Sequence, residues 1–440
     1  MQTVDLIIYA RWVVPVTSSQ QVLHDYAVII KDSRIVALLP KQEASQQYTA
    51  PVIHDLAEHC LIPGLINNHA HSAMTLFRGL ADDLPLMTWL NDHIWPAEQR
   101  FVGDQFVEAG TALAVAEMLR GGTTCVNDMY FFPEATANVI DQSGMRACLG
   151  MLVIEFPTNW ARSVDEYLHK GQQLHDHYRH HPRISTAYAP HAPYTVADST
   201  FESILVNAEE MDLPIHMHVH ETAGEIAQSV EQFGLRPFAR LKQLGLLSPR
   251  LIAVHMTQLT AEEMDWCSEA GVHIAHCPES NMKLASGFCP VSELDKRGVN
   301  ITIGTDGAAS NNDLDMFAEM RQTALLAKAV SQDPSSIPAH KALEMATINA
   351  ARSLGLDEDI GSIEIGKFAD LVAVELNSVE TQPFYDVVSQ LVYATGRDKV
   401  SDVWVAGKQL LKQRQLTTLN ETKVIADARQ WAHKIQQAEQ

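Results

Sequence analysis

Long hydrophobic runs are missing from this 440-residue chain: no uninterrupted apolar stretch approaches the ~20 residues that a bilayer-spanning helix needs. Basic residues are scarce, with 32 Lys and Arg against 54 Asp and Glu and a formal net charge of −22. Nucleic acid and anionic membrane surfaces are polyanions, so this balance speaks against both as partners; about a small neutral substrate it is silent. Cysteine is sparse as well. The six present (Cys60, Cys125, Cys148, Cys267, Cys277, Cys289) form no C-x-x-C pair and read as reduced core or site-lining thiols, not a disulfide framework. The N-terminal "MQTVDLIIYARWVV" carries Asp5 and Arg11 inside its apolar run, which suits a β-strand better than a signal peptide. The expectation is a cytoplasmic protein, long enough for one large domain and a smaller one.

What is present is an alternation. Between roughly residues 60 and 330, short β-rich runs are followed by helix-like segments: "LIPGLIN", "TTCVND", "RACLGMLV", "ISTAYAP", "LPIHMHV", "RLIAVHM", "GVHIAHC" and "VNITIGTD". "DQFVEAGTALAVAEMLRGG" has apolar residues at helical spacing and a glycine stop. "DSTFESILVNAEEMDL" opens on Asp198 as a capping residue, and Thr260 with Glu263 in "TAEEMDWCSEAG" spells a capping box. Eight such units predict an α/β fold, a (β/α)8 TIM-like barrel whose working residues sit at the C-terminal strand ends. An open doubly wound sheet is the alternative, but its dinucleotide-binding form lacks the G-x-G-x-x-G signature. Strand-like runs at both termini predict a small β-sandwich domain built from the two ends. The expected division is 1–58 and 362–440 for that domain, with a final amphipathic helix near 419–438, and 59–361 for the barrel.

Polar residues cluster where the strands end. His69 and His71 in "NNHAHSAM" are two apart, so on a strand they share a face about 6.5–7 Å apart and two imidazoles can converge on one ion. Taken alone, that pair could equally line a barrel without metal. His191 in "APHAPYT", the histidines of "IHMHVHET", His255 in "AVHMT" and Asp306 in "IGTDGA" end later strands. Together they make one rim, and a metal centre becomes the better reading. In "IHMHVHET", alternation alone leaves His216, His218 and His220 equivalent.

The motifs "IPGLINNHAHSAM", "H-x-x-E" in "HVHE", "HCPESNMKLASG", "IGTDGAASNNDLDM", "MATINAARSLGL" and "GSIEIGKFADLVAVE" occur in the order found in the amidohydrolase superfamily. Over essentially the whole chain the sequence resembles its 5-methylthioadenosine/S-adenosylhomocysteine deaminases. The resemblance implies His69, His71, His218 and Asp306 as ligands of one divalent metal per subunit, zinc foremost, with iron or manganese compatible with the same ligand types. No lysine ends the fourth strand, so a second, carboxylysine-bridged metal is not expected. It further implies Glu221 as the proton shuttle, with His255 and Asp306 orienting the attacking water and stabilising the tetrahedral intermediate. His216 would then lie deeper in the barrel and His220 in the turn.

For the substrate, the resemblance implies a purine nucleoside contacted by Glu98, His191, Glu221 and Asp306. Met87, Trp89, Leu90 and Trp95, in the long segment after the first strand, are candidates to cover an apolar ligand. One of the family's carboxylate-binding arginines aligns with Met151, and Arg162 is only a weak match for another, which favours 5′-methylthioadenosine, admits adenosine and disfavours S-adenosylhomocysteine. Two other readings stand beside this one: an aminohydrolase or chlorohydrolase of another heterocycle (guanine, a triazine, a pterin), and a non-catalytic amidohydrolase-like scaffold. Barrels of this kind often self-associate, so a homo-oligomer is compatible with the resemblance.

Overall fold

The computed structural model describes residues 1–439. Among these, eight parallel strands form the central sheet: β1 (Leu65–Ala70), β2 (Thr123–Asp128), β3 (Arg146–Val153), β4 (Ile184–Pro190), β5 (Ile215–Val219), β6 (Leu251–His255), β7 (His273–His276) and β8 (Ile301–Ile303). Each pairs with the next. The return from β8 to β1 is made largely by side chains. Asn67 Nδ2 donates to Thr305 Oγ1 at 2.7 Å, Thr305 N donates to Asn67 Oδ1 at 3.0 Å, and Asp306 N donates to the His69 carbonyl at 3.0 Å. Gly304 allows that approach, because a Cβ there would lie 2.7 Å from His69 N. The expected (β/α)8 barrel is therefore present, and its base is plugged by helix Ile348–Ser353. Ala350 and Ala351 of that helix pack against Ile66, Cys125, Cys148 and Ala187. All six cysteines are free and buried.

Both termini build one further eight-stranded sheet. Val52–Pro63 of the N-terminal part pairs antiparallel with Leu371–Glu375 of the C-terminal part at its centre. Leu6, Ile8, Val28 and Ile30 share a core with Leu371, Ala373 and Trp404, while Ile7, Tyr9, Ala27 and Ile29 pack with Ala44 of helix Lys41–Gln47. Alternate residues of each strand thus serve different cores, as the two-residue period requires. "LIPGLIN" proves to be two strands rather than one: Val52–Pro63 ends in the terminal sheet and β1 begins after Gly64. The chain changes sheets at a residue whose Cβ would sit 1.9 Å from Thr124 Oγ1.

The capping box at Thr260 and Glu263 forms as read. Asp198 does not cap its helix; Ala197 takes that place without a side-chain bond, and the Asp198 carboxylate instead accepts from Arg240 Nε at 2.7 Å. The final helix, Glu421–Glu439, lays Trp431 edge-on to Phe106 with ring centroids 5.2 Å apart. Its Ile435 is buried with Phe77, Trp89 and Ile94 of the segment after β1. No helix among the described residues is long and apolar enough to cross a membrane.

Candidate metal centre and active site

The rim residues leave their strands on unusual backbone. His220, His255 and Asp306 have φ of +54°, +74° and +65°, the left-handed region that non-glycine residues rarely occupy. Backbone of this kind persists where surrounding structure over-determines it, commonly at functional sites. Here it turns the chain sharply at the ends of β5, β6 and β8.

His69, His71, His218 and Asp306 converge, with their ligand atoms all within 4.8 Å of one another. Asp306 Oδ1 lies 3.2 Å from both His69 Nε2 and His71 Nε2, and His218 Nε2 is 3.3 Å from His69 Nε2. The other ring nitrogens are engaged outward: His69 Nδ1 with His216 Nε2 at 2.9 Å, His71 Nδ1 with the Met129 carbonyl at 2.5 Å, His218 Nδ1 with the His191 carbonyl at 2.8 Å. A ring that donates its Nδ1 proton to a carbonyl keeps a lone pair on Nε2. Several ring nitrogens aimed at one point beside a carboxylate fit a cation. Burial lowers the pKa of His69 and His218, leaving neutral imidazoles, the ligating form. Burial also works against a charged His71, but the Asp306 carboxylate and the Met129 carbonyl outweigh it and carry the pKa to about 9. The Asp306 carboxylate thus favours positive charge at the point a metal would take.

Asp306 Oδ2 accepts from Ser280 Oγ at 2.7 Å and Ser310 Oγ at 3.0 Å, which fixes the carboxylate's rotation. His255 Nδ1 sits 3.0 Å from Asn281 Nδ2; with that amide as donor, its Nε2 bears the proton. His255 Nε2 is 3.9 Å from Glu221 Oε2. Burial, reinforced by the charges of Asp306 and Glu225, raises the Glu221 pKa well above the ordinary carboxyl value, which favours its protonated form.

These groups face a cavity of about 360 Å³, large enough for a small organic ligand. Glu98 and His191 line it, as do Trp89, Leu90 and Trp95 from the long segment after β1. Met87 does not; it is 49% exposed on the outside of that segment. Met151 is absent from the wall too. It is buried on β3 against Gly171 of helix Val164–Tyr178, whereas Leu152 and Ile154 reach the cavity. A face assignment wrong by one residue inverts a strand, and the sequence alignment placed Met151 on the wrong side. Arg162 does line the mouth, beside Phe156 and Pro157.

Several contributors escape the sequence reading. Tyr130 donates its hydroxyl to Glu98 Oε1 at 2.7 Å, and Tyr194 lines the cavity near Glu221. Tyr130 follows the end of β2 in "TTCVNDMY", so the strand-end rule used for the histidines would have found it. His216, expected to be a packing residue, is the hydrogen-bond partner of His69. The His-rich "QLHDHYRHHPR" stays off the rim: His175 bonds Thr186 and His181 bonds Asp141.

A model of the amidohydrolase family matches residues 60–410. The chain is 49% identical over 433 residues to the 5-methylthioadenosine/S-adenosylhomocysteine deaminase of Teredinibacter turnerae, covering 98% of both chains. It is 47% identical to the protein of the same name from Saccharophagus degradans, covering 98% of this chain and 97% of the relative. Among solved structures, an adenosine deaminase from Xanthomonas campestris with bound zinc superposes with a TM-score of 0.98 at 53% identity, covering 99% of each chain. Atrazine chlorohydrolase from Arthrobacter aurescens, at 22% identity and a TM-score of 0.91 over 97% of this chain and all of that one, shares the fold.

Proposed function

The chain belongs to the amidohydrolase family, and from that premise we propose that it hydrolytically deaminates an adenine nucleoside, 5′-methylthioadenosine foremost, to the inosine analogue and ammonia. The observation that carries the reading is a buried Glu221 beside a convergent His–His–His–Asp ligand set in one apolar-walled cavity. His69, His71, His218 and Asp306 would hold one divalent ion, zinc by likeness to the Xanthomonas structure. Bound there, such an ion acidifies water from a pKa of ~15.7 to about 7 and supplies a nucleophile at neutral pH.

The chain's own groups do the rest. Glu221 donates its proton to the ring nitrogen beside the amine-bearing carbon, which makes that carbon electrophilic. His255, neutral because burial lowers its pKa to about 3, offers Nε2–H to the oxygen as negative charge develops there. Of the attacking water's two protons, one restores Glu221 and the other passes through Asp306 or Glu221 to the departing amine, so water and nucleoside balance against inosine analogue and ammonia. Glu98 keeps Oε2 for ribose hydroxyls while Tyr130 occupies Oε1. His191 flanks the base. Trp95, Phe156 and Pro157 give the 5′ end an apolar wall suited to a methylthio group. With Met151 out of the cavity, the methylthio preference rests on that wall, and Arg162 makes S-adenosylhomocysteine the informative comparison substrate.

In this reading the hydrolase barrel expected at 59–361 begins only after Gly64, because Val52–Pro63 runs in the β-domain, whose other part is 362–440. The six buried, unpaired thiols support a reducing, cytoplasmic setting. A homo-oligomer is compatible with it, and the net charge of −22 disfavours nucleic acid or an anionic membrane as a partner. The test is ammonia release from a panel holding 5′-methylthioadenosine, adenosine, S-adenosylhomocysteine, guanine, a pterin and a triazine. Preferred turnover of methylthioadenosine is expected. Inert nucleosides alongside active guanine, pterin or triazine would overturn the substrate, and a metal-loaded protein inert to all of them would indicate a scaffold.

A further inference from the structure

Glu221 starts from a turn and ends without support. Its carboxyl makes no hydrogen bond among the described residues, and His255 Nε2 lies 3.9 Å from its Oε2. What places it must act through the backbone. The Glu221 peptide is held at both ends: Thr257 Oγ1 donates to its carbonyl at 2.7 Å, and its N–H donates to Glu225 Oε2 at 2.7 Å. Glu225 Oε1 meanwhile accepts the N–H of His220, the left-handed residue of the turn, at 3.1 Å.

Glu225 is the third residue of helix Ala223–Phe233, whose cap Thr222 accepts Glu225 N at 3.2 Å. In an ordinary capping box the returning carboxylate takes the cap residue's own N–H. Here it reaches one and two residues further back, onto the residue that carries the reacting proton. Glu225 is 7% exposed and lies outside the cavity wall, so it touches neither ligand nor metal position.

We propose that Glu225 is a positioning residue for deamination: its two carboxylate oxygens clamp the His220–Glu221 turn and thereby set where Glu221 delivers its proton. The inference rests on the deaminase reading. A carboxylate is the side chain that suits, because it presents two acceptors to two N–H donors. Glutamine turns an NH2 toward one of them, and aspartate is a methylene too short to reach both. A misplacement of about 1 Å at a reacting group costs roughly 10²-fold in rate, so Glu225→Gln is expected to lower kcat by about 10- to 100-fold with KM changed less than about three-fold.

The test is a double-mutant cycle on the zinc-loaded full chain, with Glu221→Gln, Glu225→Gln and the pair, each checked for zinc content. If Glu225 acts through Glu221, the pair is as slow as Glu221→Gln alone, within about two-fold, with zinc content unchanged. Equal fold losses from Glu225→Gln in both backgrounds would overturn the proposal, as would an unaffected kcat or lost zinc. Thr222→Ala, which removes the same helix's cap but keeps the carboxylate, should leave kcat near wild type. Crystal structures of wild type and Glu225→Gln give a readout independent of turnover: a displaced Glu221 is expected, and an unmoved one would overturn the clamp. That readout stands even if the wild type proves inert to adenine nucleosides, which would fail the deaminase reading instead. Should Glu225→Gln not fold, Glu225→Asp takes its place in the cycle. If neither folds, Glu225 is a folding determinant and the proposal falls.

Discussion

Glu98 meets the cavity with one carboxylate oxygen already taken by the Tyr130 hydroxyl. Burial lifts its pKa to about 7, against the pull of that hydrogen bond. The ionised form is the one that accepts from ribose hydroxyls, so binding is gained as pH rises through about 7 and lost below it. KM for the nucleoside should therefore rise roughly ten-fold between pH 8 and pH 6, and Glu98→Gln should raise KM at pH 8 while flattening that dependence. Glu221 has the opposite requirement, because its protonated form does the work. Glu221→Gln should lower kcat by about 10²–10⁴-fold without loss of metal. His216 acts one layer further out, fixing the tautomer of His69. Removing such a partner typically costs 10–100-fold in metal affinity, so His216→Ala should surrender zinc to a chelator at correspondingly lower concentration while keeping its fold by circular dichroism.

The segment after β1 and the final helix act as a pair of elements. Trp431 and Ile435 back the apolar cluster that includes Trp89 and Ile94, and Arg100 Nη1 donates to the Ala438 carbonyl at 2.5 Å. The wall that carries Glu98 is thus braced by the chain's last turns. Trp431→Ala should raise KM several-fold with kcat little changed, which steady-state kinetics would show. Much at this scale was legible in the sequence. The barrel strands announce themselves because a parallel strand buried on both faces reads as a short apolar run, and the polar residues closing those runs mark the rim. The change of direction at Gly64 was not legible, since an apolar run does not report which sheet it joins. Nor was the inward face of β3, where Met151 was misplaced. Ser280 and Ser310 act across elements, and only folding brings them to Asp306.

For the molecule as a whole, the terminal sheet is fastened to the barrel by a buried pair. Arg146 Nε donates to Asp370 Oδ2 at 2.9 Å and Nη2 to Oδ1 at 3.2 Å, and both side chains are at most 4% exposed. Asp370 also accepts from Ala406 N at 2.7 Å. Breaking a buried pair by removing one partner costs about 3–5 kcal/mol, so Arg146→Met should lower stability by that order in denaturant unfolding while leaving the metal centre intact. The central claim is that one metal-loaded cavity turns adenine nucleosides into inosine analogues through Glu221. Its most direct measurement is the ultraviolet change and ammonia release on mixing the zinc-loaded protein with 5′-methylthioadenosine, beside equally loaded Glu221→Gln. The account predicts conversion to 5′-methylthioinosine with one ammonia per nucleoside, and at least a hundred-fold slower conversion by the variant. No conversion by the wild type, or equal conversion by both, would contradict it.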